Sequence, residues 1–391
     1  MSESILVTGG AGFIGSHLVD ALVKRGHRVR VFDNLEPQVH GPLREQGRWP
    51  DYSSPEAEYI LGDVRDREAL RQAMQGMDVI FHQAAMVGVG QSMYEIERYV
   101  DVNIRGTAVL LDILANDTSV RHRGRKVVVA SSMSIYGEGK YECPVHGVVY
   151  PQLRPNEQLV AKDWELHCPV REGVRDRSTA PPCNQLLKPL PTDEDKPLYA
   201  TSIYAISKKA PEEMCLTVGR AYRIPTVALR YFNVYGPRQT LSNPYTGVAA
   251  IFSNRLLNGK PPVIFEDGLQ SRDFVHVSDI VQANLLAMEQ EGMDYGSFNV
   301  GTGRSLTILE VATALGRHWV GGQASEIVQK FRAGDIRHCY PDINRLRKFG
   351  YTSGVRFEDG ALELITWVRR QSAMDNFEHA REELVKRGLA V

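Results

Sequence analysis

The chain has 391 residues, with 46 lysines and arginines against 47 aspartates and glutamates and a formal net charge of -1. That length predicts two folded units, or one large unit with a lobe grown on it, and the balanced charge argues against a partner bound through a basic surface, so no nucleic acid is expected. No apolar run approaches the roughly 18–20 residues that span a bilayer, the opening MSESILVTGG enters a strand at once, and five cysteines, an odd number, suit a reducing cytoplasm better than a disulfide framework.

In chain order, short β-branched runs over 5–7, 29–32, 59–61, 79–82 and 126–130 read as buried parallel strands, with helical periodicity over 15–25, 66–75 and 97–116 between them. This alternation predicts an α/β fold: a Rossmann doubly wound parallel sheet with a smaller C-terminal substrate-binding lobe. Further strand-like runs lie at 225–231, 273–277 and 297–300. Residues 1–235 are expected to form the dinucleotide-binding domain, with 273–301 returning to it, and 236–272 with 302–391 to form the lobe. Residues 138–200, rich in proline and charge, read as an inserted excursion and are expected to pack over the substrate pocket. The stretch 357–391 reads as helical and partly exposed.

Gly9, Gly12 and Gly15 follow the first strand directly and open a helix, with Phe13 and Ile14 between them. Glycine is needed there for a tight turn, for close approach of backbone to a pyrophosphate, and for helix packing on strand. The amides at the helix start then attract phosphate. The second strand ends at Asp33, 18 residues beyond Gly15, where a carboxylate would meet ribose hydroxyls. Asp33 would repel a 2′-phosphate and the following Asn34 offers no arginine, so NAD is favoured over NADP. Asp63, beside Val64, could meet the adenine amino group or cap the helix beginning near 66.

The fifth strand runs into SSMSIYG (131–137), at the sheet's carboxyl end where open α/β sheets bind ligands. Downstream, Tyr204 and Lys208 stand four apart, on one face of a helix. A tyrosine of pKa about 10 is a poor base; the ammonium and a positive nicotinamide ring are expected to lower it.

These motifs resemble the extended short-chain dehydrogenase/reductase family, within it the NAD-dependent nucleotide-sugar epimerases and dehydratases. TGGAGFIG (8–15), FHQAA (81–85), NIRGT (103–107), SSMSIYG (131–137), YAISK (204–208) and RYFNVYGP (230–237) match in order and character. The resemblance implies that Ser132 supports the sugar hydroxyl with Ser134 nearby, that Tyr204 is the acid/base, and that Lys208 holds the nicotinamide ribose. It implies that Ala84 and Ala85 line the cofactor's central part and that Asn103 braces the cofactor site. It places a nucleotide-diphosphate sugar against Asn233, Arg238, Arg272, Arg332 and Asp335, with Val263 and Phe265 clamping the base. A homodimer through Val100, Ile104, Val109, Met214 and Leu216 is implied as well; burial of those positions within one subunit explains them almost equally.

The family's 4,6-dehydratases carry an Asp-Glu pair where this chain has Met133 and Ser134, which sets elimination aside. An isomerase that oxidises C4 transiently with bound NAD is expected. Hexose 4-epimerases carry a lysine in the stretch occupied here by AAMVGVGQS (84–92), which has none. The run VGVGQSMYEIERY (87–99) and the long insert look similar to proteins assigned as dTDP-L-rhamnose 4-epimerases, giving dTDP-6-deoxy-L-talose. The alternatives are a UDP-sugar 4-epimerase, a 4-keto-sugar reductase or decarboxylating dehydrogenase, and a non-catalytic NAD sensor. Pro211 should kink the helix of Tyr204 or mark its start. His146, His167, Cys168 and Cys183 in the insert include no Cys-x-x-Cys pair, so no metal is expected.

Overall fold

The computed structural model describes residues 2–121, 126–171, 182–319, 324–332 and 334–390. Seven parallel strands form its central sheet: β1 (Ser4–Thr8), β2 (Arg28–Asp33), β3 (Glu58–Leu61), β4 (Val79–His82), β5 (Lys126–Ser132), β6 (Thr226–Tyr231) and β7 (Ser297–Val300), in the order β7-β6-β5-β4-β1-β2-β3. Chain direction across the sheet reverses between β1 and β4, and the crevice beyond their carboxyl ends is where such sheets take ligands.

Successive strand residues point to opposite faces, and both faces are covered. Ile5, Val7 and Val31 join one buried cluster with Leu18, Val19 and Leu22 of helix α1 (Phe13–Lys24). Leu6, Phe32 and Ile80 join a second, against Leu70 of α2 (Arg67–Met74) and Leu110 of α3 (Gly106–Asn116). This explains why the strands read as continuous apolar runs rather than alternating ones.

The helix expected over 97–116 is continuous from Ile96 but passes through a π-helical stretch, Val100–Arg105, before α3. Helix α4 (Ile203–Tyr222) begins at its cap Ser202, so Pro211 lies inside it, buried, and does not mark its start. The run at 273–277 does not join the central sheet. Phe274–His276 pairs with Asn233–Tyr235 in a separate two-stranded ladder. The lobe has its own core, in which Phe252, Ile264, Leu315 and Leu364 are buried together.

The insert contains a small antiparallel sheet in which Lys140–Cys143 lies between Gly147–Val149 and Lys188–Leu190. None of its described residues lines the ligand cavity. It packs instead behind the strand His338–Cys339. Glu138 accepts hydrogen bonds from the backbone N–H groups of Arg337 (2.7 Å) and His338 (3.3 Å), and the Gly139 N–H donates to the carbonyl of His338 at 2.9 Å. A Cβ at Gly139 would stand 2.7 Å from that oxygen, so only glycine allows the approach. Arg154 donates to both oxygens of Glu266 (2.9 and 2.8 Å), and Arg337, fully buried, reaches Glu165, Glu266 and Asp267. The described part of the insert is thus a buttress behind one wall of the cavity, where Glu138, Arg154 and Glu165 find their partners.

The cysteines and histidines of the insert also differ from expectation. Cys143, His146, Cys168 and Cys183 come together although they are scattered in sequence, since pairing of 168–170 with 182–186 carries two of them to the Cys143–His146 turn. His167 turns away, to Asp163 at 2.9 Å.

Candidate active site

A single cavity of about 600 Å³ runs from the glycine loop across the carboxyl ends of the strands into the lobe. Gly9, Gly12, Phe13, Ile14 and Gly15 line one end. Gly9 has φ +71°, and a Cβ there would lie 2.7 Å from the backbone nitrogen of Ala84; at Gly15 a Cβ would lie 2.2 Å from the carbonyl oxygen of Gly9. Both glycines are therefore required by space. Gly12 caps α1 without a side-chain hydrogen bond, which leaves the first-turn amides free for an anion.

Asp33 lines the same end and accepts from the N–H groups of Ala11 (3.0 Å) and Leu35 (2.9 Å), pinning the glycine loop to β2. Burial pushes its carboxyl up, while His40 and these amides pull it down. Asp63, with Val64 beside it on the cavity, is held by Arg65 (2.7 and 2.8 Å) and Asn34 (3.1 Å). These hydrogen bonds outweigh partial burial and hold it at about 2, and the helix cap is Asp66 instead. Asn34, Ala84 and Ala85 also line the cavity. Asn103 does not: it accepts from the N–H of Met86 (2.7 Å) and donates to that residue's carbonyl (3.0 Å) and to Ser207 Oγ (2.8 Å). It ties the segment after β4 to α4, a role the π-helical stretch permits by turning Asn103 inward.

Ser132, Ser134, Tyr204 and Lys208 meet at the middle of the cavity. Ser132 Oγ accepts from the N–H (3.2 Å) and hydroxyl (2.9 Å) of Ser134, and its side chain hydrogen-bonds Tyr204. Burial pushes the Tyr204 phenol up, with the Ser132 bond opposing, and pulls the Lys208 ammonium down to about 8, with Cys215 and Glu212 opposing. Lys208 is not among the groups that shift Tyr204 in the protein alone, where burial sets the direction against the expected lowering. Sequence reasoning missed Ser92, which is fully buried and accepts the N–H of Tyr204 at 2.9 Å, fixing the start of α4 from the segment opposite. Its signal was a serine in an otherwise apolar, glycine-rich run.

At the far end, Asn233, Val263, Phe265, Arg272, Arg332 and Asp335 line the cavity. Arg332 donates to Asp335 (2.8 Å), and its guanidinium stands 4.7 Å from the Phe265 ring centre, a stacked pair suited to a planar base. Arg272 donates to the carbonyls of Ser271, Ile336 and Arg337. Arg238 is not brought here: it pairs with Asp20 of α1 (2.8 Å) and lies over Tyr52. The C-terminal helix Phe377–Lys386, read from sequence as partly exposed, also closes this end through Phe377, Ala380, Arg381 and Leu384. Its apolar face at 377, 380 and 384 was the available signal.

The glycine cradle, the uncapped helix start and Asp33 fit a dinucleotide by shape and charge. A model of the NAD dependent epimerase/dehydratase family matches residues 5–158 and 178–301. The chain is 33% identical over 373 residues to a dTDP-L-rhamnose 4-epimerase of Burkholderia thailandensis, covering 94% of this chain and 96% of that one. Among solved structures it is similar to a Thermotoga maritima UDP-glucose 4-epimerase with UDP-glucose (29% identity, TM-score 0.71, 94% and 99% covered). A Thermus thermophilus UDP-glucose 4-epimerase in complex with NAD is also similar (29% identity, TM-score 0.67, 94% and 100% covered). The chain belongs to the NAD dependent epimerase/dehydratase family, and NAD is its cofactor.

Proposed function

We propose that the chain is a nucleotide-sugar 4-epimerase whose substrate is dTDP-L-rhamnose, converted reversibly to dTDP-6-deoxy-L-talose. One observation carries the reading. A single cavity holds the glycine cradle at one end, the Arg332–Phe265 pair at the other, and Ser132, Tyr204 and Lys208 between them. Bound NAD supplies reversible oxidation at the sugar carbon. Tyr204 takes the C4 hydroxyl proton and returns it, Ser132 orients that hydroxyl, and Lys208 holds the cofactor's ribose and its positive charge beside the phenol. Lowering the phenol to a usable range rests on positive charge arriving with the cofactor, since burial alone raises it. Met133 and Ser134 supply no acid and base for elimination, and the 33% identity to a dTDP-L-rhamnose 4-epimerase supports the sugar.

A homodimer belongs to this reading in reduced form. Val109 and Met214 pack on, and Leu216 lies within, the chain's own core, leaving Val100, with Ile96, Ile206 and Tyr222, exposed and Ile104 partly buried on the two helical segments.

The test is turnover by purified protein without added NAD, on nucleotide sugars varied in base and at C6. Interconversion of the two dTDP-6-deoxyhexoses with no free NADH is expected. Sustained NADH release would replace the reading with a one-way dehydrogenase, and NAD binding without turnover of any sugar would leave a sensor.

A further inference from the structure

The described part of the insert has a buried core of six side chains, Tyr141, Cys143, Val149, Leu166, Cys168 and Leu187. A core of that size is far too small to hold a separate sheet and arm by apolar burial. At its centre, one ligand atom from each of Cys143, His146, Cys168 and Cys183 lies within 4.8 Å of all the others. Cys143 Sγ and Cys168 Sγ stand 3.5 and 3.4 Å from His146 Nδ1, and the sulfurs of Cys143 and Cys183 are 4.0 Å apart.

Tetrahedral zinc, with Zn–S about 2.3 Å and Zn–N about 2.0 Å, sets sulfur–sulfur edges near ~3.8 Å and sulfur–nitrogen edges near ~3.5 Å. A disulfide requires about 2.05 Å between sulfurs, roughly half the separation found, and all five cysteines are free thiols. The observed spacing is that of ligands around one ion. We propose that Cys143, His146, Cys168 and Cys183 bind one structural zinc ion that holds the insert together.

The surrounding backbone supports a thiolate at Cys143 and positions the other two sulfurs. The N–H of Val145 donates to Cys143 Sγ at 3.4 Å in a turn that closes through Gly147 at φ +68°. Such donation stabilises a metal-bound thiolate and orients it. On the other side, the N–H of Cys183 donates to the carbonyl of Val170 and that of Cys168 to the carbonyl of Gln185, both at 2.8 Å, which sets the two cysteines abreast. Three soft sulfurs and one imidazole select zinc over calcium or magnesium, and four protein ligands leave no position for substrate. Binding exchanges three thiol protons for the ion, leaving the site with net charge −1. The ion fastens the turn at 143–147 to the pairing that follows the arm bearing Arg154 and Glu165. Through that arm it keeps Glu266 and Arg337 in place behind the cavity wall.

The test is metal analysis of the full chain purified without chelator. One zinc per chain is expected, released by an organomercurial as it titrates the thiols. Cys168→Ser and Cys183→Ser should each lower zinc content by about ten-fold or more, while His167→Ala keeps it. Should those serine variants fail to fold, protein grown in cobalt still decides the matter. Tetrahedral cobalt with thiolate ligands gives strong visible bands and near-ultraviolet thiolate charge transfer, and their appearance supports the site. A wild-type chain that stays metal-free after dialysis against zinc, contains a Cys143–Cys183 disulfide, or holds only iron overturns the proposal.

Discussion

The central sheet packs Ile5, Val7, Val31 and Phe81 on one face and Leu6, Phe32 and Ile80 on the other, each fully buried, beneath helices that add many more. The insert has Tyr141, Val149, Leu166 and Leu187 around its cysteines, and fastens to the rest through charges: Arg154 on Glu266, and Glu165 on Arg337. One region is shaped by apolar area and carries the proposed catalytic residues. The other is shaped by directional bonds and supports one wall of the cavity. The difference teaches where each is vulnerable: the sheet spreads its stability over many buried side chains, whereas the insert concentrates its stability in a few contacts.

The sharpest separation comes from the chemical centre. Tyr204→Phe should lower turnover by about 10²–10⁴-fold, the usual worth of a positioned acid/base, with NAD still co-purifying and the unfolding midpoint unchanged. Steady-state kinetics and cofactor stoichiometry check this together. Unchanged turnover would break the assignment of chemistry to the sheet region and move it elsewhere in the cavity.

On the insert side, Arg154→Ala leaves Glu266, 3% exposed, with Arg337 as its one charged partner among the described residues. Removing one member of a buried pair costs about 3 kcal/mol, read as a lowered denaturant midpoint. Substrate KM should rise more than kcat falls, since Glu266 lines the cavity and Tyr204 lies far from the change in sequence and role. An unaffected midpoint would mean that the insert is merely appended.

The same contrast explains what was legible in sequence. Gly9, Gly15, Asp33, Ser132, Tyr204 and Lys208 sit in short local patterns whose spacing carries their geometry, a turn between strand and helix or one helical face, and the structure sets them on one cavity. The insert's placement depends on partners 112 to 200 positions away, as in Arg154 with Glu266 or Glu138 with His338, and no local pattern encodes such pairings. The four metal-ligand side chains were hidden for the same reason, because pairing across 170–182 supplies the proximity that a Cys-x-x-Cys motif would announce. Arg238 shows the converse. Its motif was local, but its partner, Asp20 on α1, lies more than two hundred positions away and no local pattern announces it.

A smaller effect, dependent on pH, belongs to the sheet. His82 is buried between Thr8 Oγ1 (2.8 Å) and Thr107 Oγ1 (3.0 Å), and burial, aided by Lys208, lowers it from 6.5 to about 3. Between those values the unfolded chain binds the extra proton. Stability is therefore complete above about pH 6.5 and is lost progressively as pH falls toward 3, by about 2 kcal/mol at pH 5. His82→Gln should flatten the fall of the unfolding midpoint between pH 6.5 and 5. An equally steep fall in the variant would assign acid sensitivity to the insert's carboxylate network instead.

The smallest expected effect sharpens the insert's own interior. His167 and His146 both lie in it, yet only His146 Nδ1 faces the sulfurs, while His167 Nε2 meets Asp163 at 2.9 Å on a half-exposed turn. An exposed pair of that kind is worth about 0.5 kcal/mol or less, so His167→Ala should shift the unfolding midpoint barely and His146→Ala substantially. Equal losses from the two would mean that the insert is held by polar contacts spread through it, not by a single centre. A large loss confined to His146→Ala places the insert's stability at the point where Cys143, Cys168 and Cys183 converge, the counterpart of the apolar core that the sheet builds from dozens of side chains.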